Sequence, residues 1–289
     1  TVNVKDSSER QLAELMVGRE VDFSVDKPEK EAGEVILEVK DLNVLDTREL
    51  PAVKNVNLNV YAGEILGIAG IDGNGQDELI YALSGLSKIE SGSIKLNGED
   101  ISNLDIRSRT AKGLGHIPSD RHRHGLVLDF LLEENMIIHE YNKPRFSKNG
   151  ILKFKDITNH TKKLIDEFDV RVGESSKTLT RSMSGGNQQK AIIARELDKQ
   201  PECLLVVQPT RGLDVGAIEY IHQRIIDERN KGKAILLVSF ELDEVIALSD
   251  RIAVLSGGEI TGIVKPEDTN ENELGLMMTG ARLEELQDE

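Results

Sequence analysis

Apolar residues recur along most of the chain in short runs separated by amphipathic segments. The runs predict strands at residues 34–44, 56–60, 65–69, 204–207, 234–239 and 251–255. Between about residues 118 and 190 the strand pattern fades, and the spacing of apolar positions predicts helices at 157–168 and 183–197. Strands that alternate with helices favour an α/β fold with a mostly parallel sheet, here interrupted by a helical segment.

The chain divides into a linker, one folded unit and a tail. Residues 20–34 are charged and contain proline and glycine, which is typical of a linker. We expect the folded unit to span residues 35–282, with a helical subdomain at about 118–190. Residues 283–289 are expected to form a solvated tail.

A short repeat bears on what precedes this unit. Residues 14–19 resemble residues 276–281, with an offset of 280 − 18 = 262 residues. The match is either a chance similarity between two apolar helix ends or the trace of a duplication, and we favour the duplication. Residues 1–34 are then the tail of a preceding copy of the same unit plus the linker.

Charge and composition limit the classes of partner. The chain carries 36 Lys and Arg against 51 Asp and Glu, a net charge of −15, which argues against nucleic acid as a ligand. No apolar run approaches the roughly 18 residues that a membrane-spanning helix requires. The single cysteine, Cys203, lies in an apolar run without a neighbouring cation, so we expect a buried, unreactive thiol in a reducing cytoplasm.

A glycine-rich turn follows the apolar run at 65–69. It contains Gly70, Gly73, Asn74 and Gly75 and leads into a helical pattern. This context is typical of a phosphate-binding loop, in which backbone amides and a helix N-terminus bind an anion. A plain strand–turn–helix connection is the alternative if the motif is taken alone.

The two residues after this turn depart from the standard loop. That loop continues with Lys and then Ser or Thr, whereas this chain has Gln76 and Asp77. A unit charge at about 4 Å is worth up to ~4 kcal/mol near a protein surface, so losing a cation and gaining an acid predicts weak nucleotide binding. Asp77 remains a candidate Mg²⁺ ligand.

A second candidate anion-binding end lies before the predicted helix at 183–197. Ser184, Gly185 and Gly186 open the helix, followed by Asn187 and Gln188. A serine hydroxyl and glycine amides at a helix start either cap the helix or bind a second phosphate group. Two such ends in one chain favour the second interpretation.

The order and spacing of these segments resemble those of the ATP-binding-cassette ATPases. The similarity covers residues 35–282 and includes, in chain order, a phosphate loop at 70–77, a family signature at 183–187, a second strand motif at 204–208, a loop at 212–214 and a switch segment at 239–241. It implies a P-loop NTPase-type core with a mostly parallel sheet, an antiparallel β subdomain and an inserted helical subdomain. It also implies ATP and Mg²⁺ as ligands.

Three passages are similar to the second, carboxy-terminal cassette of ATPases that energise simple-sugar and nucleoside importers. They are residues 118–127, 187–190 and 208–217, and Gln208 followed by proline looks more like the nucleoside branch. The resemblance implies as partners another cassette, membrane permeases and, indirectly, an extracytoplasmic solute-binding protein. It implies a peripheral location on the cytoplasmic face of the membrane. Ser119, Asp120 and Asp214 are the candidate coupling-loop residues.

The chain departs from the family pattern in one half-site. Val207 and Gln208 stand where the family has a metal-organising aspartate and a catalytic glutamate, Phe240 replaces a histidine, and Ser119 replaces a glutamine. Residues 24–60 contain no aromatic side chain to stack on adenine. The signature at Ser184, by contrast, is complete.

In this family two cassettes pair head to tail, so that each ATP lies between one phosphate loop and the other cassette's signature. The resemblance therefore implies a degenerate half that completes a partner's ATP site and is hydrolysis-deficient by itself, with weak or absent nucleotide and metal in its own loop. Two alternatives stay open: a catalytically active cassette, or a soluble cassette protein that acts in translation or DNA repair.

Overall fold

The computed structural model describes residues 27–28, 31–173 and 175–287; most of the predicted linker and preceding tail lies outside this range. The strands are β1 (Val35–Leu45), β2 (Pro51–Tyr61), β3 (Ile65–Ala69), β4 (Ser91–Leu96), β5 (Glu99–Asp100), β6 (Leu114–Ile117), β7 (Ser147–Lys148), β8 (Ile151–Leu152), β9 (Cys203–Val207), β10 (Ala234–Val238), β11 (Arg251–Ser256) and β12 (Glu259–Val264). The helices are α1 (Gln76–Ser84), α2 (Ile106–Ala111), α3 (Leu132–Ile137), α4 (Phe154–Glu167), α5 (Gly185–Asp198), α6 (Val215–Asn230), α7 (Leu242–Leu248), α8 (Glu271–Met278) and α9 (Leu283–Gln287).

The central sheet has the strand order β12-β11-β3-β10-β9-β6. Its neighbours pair in parallel except β11 and β12, which are antiparallel. Every residue of β3, β9 and β10 is buried, because helices cover one face of the sheet and a second sheet with α1 covers the other. The prediction of a mostly parallel sheet is confirmed. Cys203 is buried at the start of β9, and burial raises the pKa of its thiol to about 12.

A second sheet is antiparallel, with the order β2-β1-β4-β5, as the resemblance implied. Alternate residues of β1 are buried, and they share one core with α1 and with one face of the central sheet. The strands β4, β6 and β12 were not expected from the sequence. They are short or contain glycine, serine or threonine, so their apolar runs are too weak to predict a strand.

The helical segment contains α3, α4 and the start of α5, and α4 begins three residues before the predicted boundary at 157. It also contains a hairpin, β7–β8, that the periodicity did not show, because two-residue strands carry no alternation. At the other end, residues 283–287 of the expected tail form α9, and Leu283 packs against the core beside α8. No helix in the described residues has both the length and the apolar character needed to cross a bilayer.

Candidate nucleotide site

The glycine-rich turn lies at the carboxyl end of β3, in the middle of the central sheet. Gly75 has φ +105°, and a Cβ there would lie 2.3 Å from the carbonyl oxygen of Ala52, so only glycine fits. Asn74 holds the turn in place: its carbonyl oxygen accepts from the amide of Gly258 at 3.0 Å, and its Oδ1 accepts from the amide of Gly257 at 3.2 Å. The sequence thus folds into the shape of a phosphate-binding loop that opens α1.

Gln76 fills the inside of this loop. The residue is 2 % exposed, and its Nε2 donates to the carbonyl oxygen of Ile71 at 3.0 Å. A Cβ at Gly70 would lie 2.4 Å from the same nitrogen. Oε1 of Gln76 is buried and accepts no hydrogen bond from the described residues. A neutral amide therefore lies where the standard loop has an ammonium group.

Asp77 adds negative charge at the start of α1. Burial and the neighbouring charge of Asp72 raise the pKa of Asp77 above its ordinary value, and Arg211 and His124 oppose that rise. No group of three or more His, Cys, Asp and Glu side chains in the described residues has the geometry of a metal site. Mg²⁺ at nucleotide sites takes one or two protein oxygens and completes its shell with phosphate and water, and Asp77 fits one such position.

The signature lies at the N-terminus of α5, and its end is open to solvent. Ser184 is the N-cap, and its Oγ accepts from Nδ2 of Asn187 at 2.9 Å and from the Asn187 amide at 3.4 Å. Gln188 is placed differently: its side chain is buried, and its Nε2 donates to the carbonyl oxygen of Thr180 at 3.0 Å. The accessible end of the helix is therefore formed by Ser184, Gly185 and Gly186. The buried side chain of Gln188 anchors the first turn of the helix to Thr180.

The second strand motif ends beside the loop, because β9 and β10 are parallel neighbours and β10 also pairs with β3. Val207 is buried and carries no polar atom. Gln208 adopts a left-handed conformation, φ +49°, and its amide donates to the carbonyl oxygen of Val238 at 2.8 Å. Its Nε2 is buried and has no partner in the described residues. Ser239 and Phe240 follow β10 at the same edge of the sheet.

The sequence profile described as "ABC transporter" matches residues 53–211, which is more than half of the chain and includes the loop and the signature. The chain belongs to the ABC transporter family.

Curated relatives match this cassette over almost its whole length. It is 53 % identical over 285 residues to the "Nucleoside import ATP-binding protein NupA" of Lactococcus lactis subsp. cremoris, with 99 % of this chain and 56 % of the relative covered. It is 50 % identical, with the same coverage, to the "Guanosine import ATP-binding protein NupO" of Bacillus subtilis. It is 40 % identical to the "Glucose import ATP-binding protein TsgD13" of Haloferax volcanii, over 97 % of this chain and 51 % of the relative. The chain spans about half the length of these relatives.

Solved structures of ATP-binding cassettes share the fold. One is the crystal structure of a nucleotide-free cassette from an ABC transporter, with a TM-score of 0.68, 20 % identity, and coverage of 85 % of this chain and 96 % of that chain. Another is a dimeric cassette in a post-hydrolysis state bound to ADP and Pi, with a TM-score of 0.67, 23 % identity, and coverage of 80 % and 99 %. The ABC ATPase fold expected from the sequence is confirmed.

The turn that follows two of the candidate coupling residues of this cassette, Ser119 and Asp120, packs against the signature helix. Asp120 caps the short helical turn Arg121–Gly125 by accepting from the amides of His122 and Arg123 at 2.9 and 3.0 Å. These hydrogen bonds lower the pKa of Asp120. Nε2 of His122 lies 3.0 Å from Oε1 of Gln188, which joins this turn directly to α5. Ser119, half-buried, precedes the turn.

Two further contacts complete the surroundings of the signature. A Cβ at Gly185 would lie 2.9 Å from Nη2 of Arg121, so a larger residue there would have to displace the guanidinium group. Asp214 is the N-cap of α6, with Oδ1 accepting from the amide of Ala217 at 3.0 Å. Its Oδ2 would lie 3.7 Å from a Cβ at Gly186. The structure therefore brings the turn capped by Asp120, the N-cap Asp214 and the signature together.

Sequence reasoning missed Glu244, which joins α7 to the turn after β9 and to α6. Its Oε1 accepts from Oγ1 of Thr210 at 2.6 Å and lies 2.7 Å from Nε2 of His222. Burial raises the pKa of Glu244, but hydrogen bonds with His222, Ser239 and Thr210 outweigh burial and hold that pKa below its ordinary value. In the sequence Glu244 is one of two acids in the first turn of α7, so nothing distinguishes it from an ordinary helix-start residue.

Proposed function

We propose that the chain is an ATP-binding cassette of an importer for a nucleoside or a simple sugar. The support is the 53 % and 50 % identity to proteins whose names specify nucleoside and guanosine import, over 99 % of this chain. On this proposal the cassette works at the cytoplasmic face of the membrane with permease subunits, and indirectly with a solute-binding protein. A second cassette, in the same or another chain, completes the pair.

We further propose that this cassette's phosphate-binding loop has lost its function in ATP hydrolysis, whereas its signature has kept it. The observation that carries this proposal is the amide of Gln76, which occupies the loop and bonds to Ile71. Gln76 supplies no cation for the phosphates, and Val207 and Gln208 supply no base for the attacking water. The loop's own site then binds ATP and Mg²⁺ weakly or not at all and does not turn over.

The signature at Ser184, Gly185 and Gly186 has the features needed to complete the ATP site of a partner cassette. Ser184 is exposed, and Gly185 and Gly186 are half-buried, at the N-terminus of a 14-residue helix, where the helix dipole and hydrogen bonds would stabilise a phosphate group of a partner's ATP. The cassette would then contribute its signature to a working site whose phosphate loop belongs to the partner. Transport energy would come from that one composite site.

Point variants in the assembled transporter test this division. Ser184→Arg places a bulky side chain at the exposed helix end and is expected to abolish ATPase activity, whereas Asp77→Ala is expected to retain most of it. The two variants should differ in turnover by more than tenfold, about 1.4 kcal/mol of barrier. Gln223→Arg, an exposed position on α6, is the matched control. Equal losses from Ser184→Arg and Asp77→Ala would show that the loop's own site also turns over.

A further inference from the structure

One segment of the helical subdomain has a charge opposite to that of the rest of the chain. Residues 141–155 contain five cationic side chains and no acidic one, in a chain whose net charge is −15. The cations are Lys143, Arg145, Lys148, Lys153 and Lys155. The nucleotide site uses none of these residues, so this charge asymmetry is unexplained by the proposed function.

The segment contains a hairpin whose base is packed and hydrogen-bonded. Its turn residues, Asn149 and Gly150, have φ +53° and +80°, as in a two-residue hairpin turn. Phe146 is buried in a small core with Leu152 and residues of α3 and α4. The amide of Lys153 donates to the carbonyl oxygen of Phe146 at 2.8 Å, which closes the two arms together.

The outer surface of this hairpin is both cationic and apolar. Lys148 pairs with Ile151 across the strands, so their side chains share a face, and Leu152 packs on the other face. Ile151 is 73 % exposed, Phe154 is 68 % exposed and Tyr141 is 54 % exposed. Three large apolar side chains within fifteen residues are thus left in water.

The cations divide into two groups. Lys143 and Arg145 both pair with the buried carboxylate of Glu140, and Arg145 also reaches Asp198 at 2.8 Å. Lys148 and Lys155 have no carboxylate within 4.0 Å in the part of the chain that the structure describes, and Lys153 has Asp156 at 3.9 Å. The unneutralised charge therefore lies beside the exposed apolar side chains.

We infer that this hairpin docks on the surface of an anionic lipid bilayer. Lysine ammonium groups are attracted to lipid phosphates, while Ile151, Phe154 and the amphipathic ring of Tyr141 enter the interface between headgroups and acyl chains. Charge complementarity selects this occupant, because the rest of the chain is acidic and is repelled by the same surface. The hairpin would thereby fix which side of the cassette faces the membrane.

Sedimentation of the 289-residue chain with lipid vesicles tests the inference without nucleotide or permease, so its outcome is independent of the proposed import function. We expect binding to vesicles that contain phosphatidylglycerol, little binding to vesicles of phosphatidylcholine alone, and weaker binding at high salt. Lys148→Gln and Lys155→Gln should each lower the partition coefficient about fivefold. Ile151→Ser with Phe154→Ser should lower it about tenfold or more.

The control is Lys88→Gln with Lys265→Gln, two exposed lysines outside the hairpin, which should leave binding unchanged. All substituted side chains are exposed, and thermal melting of each variant verifies the fold. Absence of vesicle binding, equal binding to neutral vesicles, or an equal loss in the control would overturn the inference. Binding of the hairpin to an acidic protein loop in place of lipid would overturn it as well.

Discussion

The side-chain amide of Gln76 donates a hydrogen bond to the carbonyl oxygen of Ile71, 3.0 Å away, from inside the phosphate-binding loop. A phosphate group entering the loop meets this neutral amide, and beside it the carboxylate of Asp77. The loop has the backbone turn of an anion site, but the two residues that follow it are a neutral amide and a carboxylate in place of a lysine and a hydroxyl.

Restoring the cation should restore affinity. We expect Gln76→Lys to tighten ATP binding by at least tenfold, because a unit charge at about 4 Å is worth up to ~4 kcal/mol near a protein surface. Calorimetric titration of the chain with and without Mg²⁺ measures this. Gln223→Lys makes the same charge change on the exposed face of α6 and should not alter affinity. If unmodified chain already binds ATP at low micromolar concentration, the loop is not degenerate.

Restoring the base alone should not restore hydrolysis. We expect the chain and its Gln208→Glu variant to release phosphate from ATP no faster than background, because Val207 offers the metal shell no oxygen and Gln76 offers the phosphates no charge. Steady-state phosphate release after stringent purification measures this. Substantial turnover by Gln208→Glu would mean that the other changes are tolerated.

Asp77 should make anion binding depend on pH. Because the pKa of Asp77 is raised in the folded chain, its carboxylate is neutralised at a higher pH than usual, and affinity for inorganic phosphate or ATP should rise as pH falls towards that pKa. The raised pKa of Asp77 also affects the free energy of unfolding, because the folded chain binds the proton on Asp77 more tightly than the unfolded chain does. The stabilisation from this proton is fully present below the unfolded pKa of 3.8 and is lost as pH rises through the pKa of the folded chain. Asp77→Asn should therefore bind anions more tightly at neutral pH and abolish this component of the pH dependence, as measured by titrations across the acidic range.

Glu244 should stabilise the edge of the sheet at which Gln208 and the switch segment meet. We expect Glu244→Gln to lower the free energy of unfolding by about 1.5–3 kcal/mol, the range for hydrogen bonds to a charged group. The pKa of Glu244 is lowered by folding, so its contribution is present above the unfolded value of 4.5 and is lost as pH falls through the lower, folded value. Denaturant titration of the variant measures the loss.

The matched control for Glu244 is its neighbour Asp243, which is exposed in the same turn of α7. Asp243→Asn makes the same change of charge without removing a buried hydrogen bond, and it should change the free energy of unfolding by less than about 0.5 kcal/mol. Similar losses from the two variants would assign the effect to helix-start charge and not to the contacts with Thr210 and His222.

The amino-acid sequence by itself determined the order of the motifs, the buried strands and the missing charges. Apolar runs such as residues 65–69 and 204–207 predict strands because a strand covered on both faces must be apolar throughout. The absence of a lysine at residue 76 and of a carboxylate at residue 208 does not depend on the fold, since no tertiary contact can supply a charge that the side chain lacks.

Only the tertiary structure decided which distant groups meet. Glu244 reaches Thr210, 34 residues away in sequence, because β9 and β10 are parallel neighbours whose carboxyl ends lie at one edge, and it reaches His222, 22 residues away, because α6 packs beside α7 at this edge. The burial of Gln188 and the exposure of Ile151 likewise depend on which helix packs against which. These contacts join elements that are far apart along the chain, so the local pattern of apolar residues cannot predict them. They depend on how the whole domain packs.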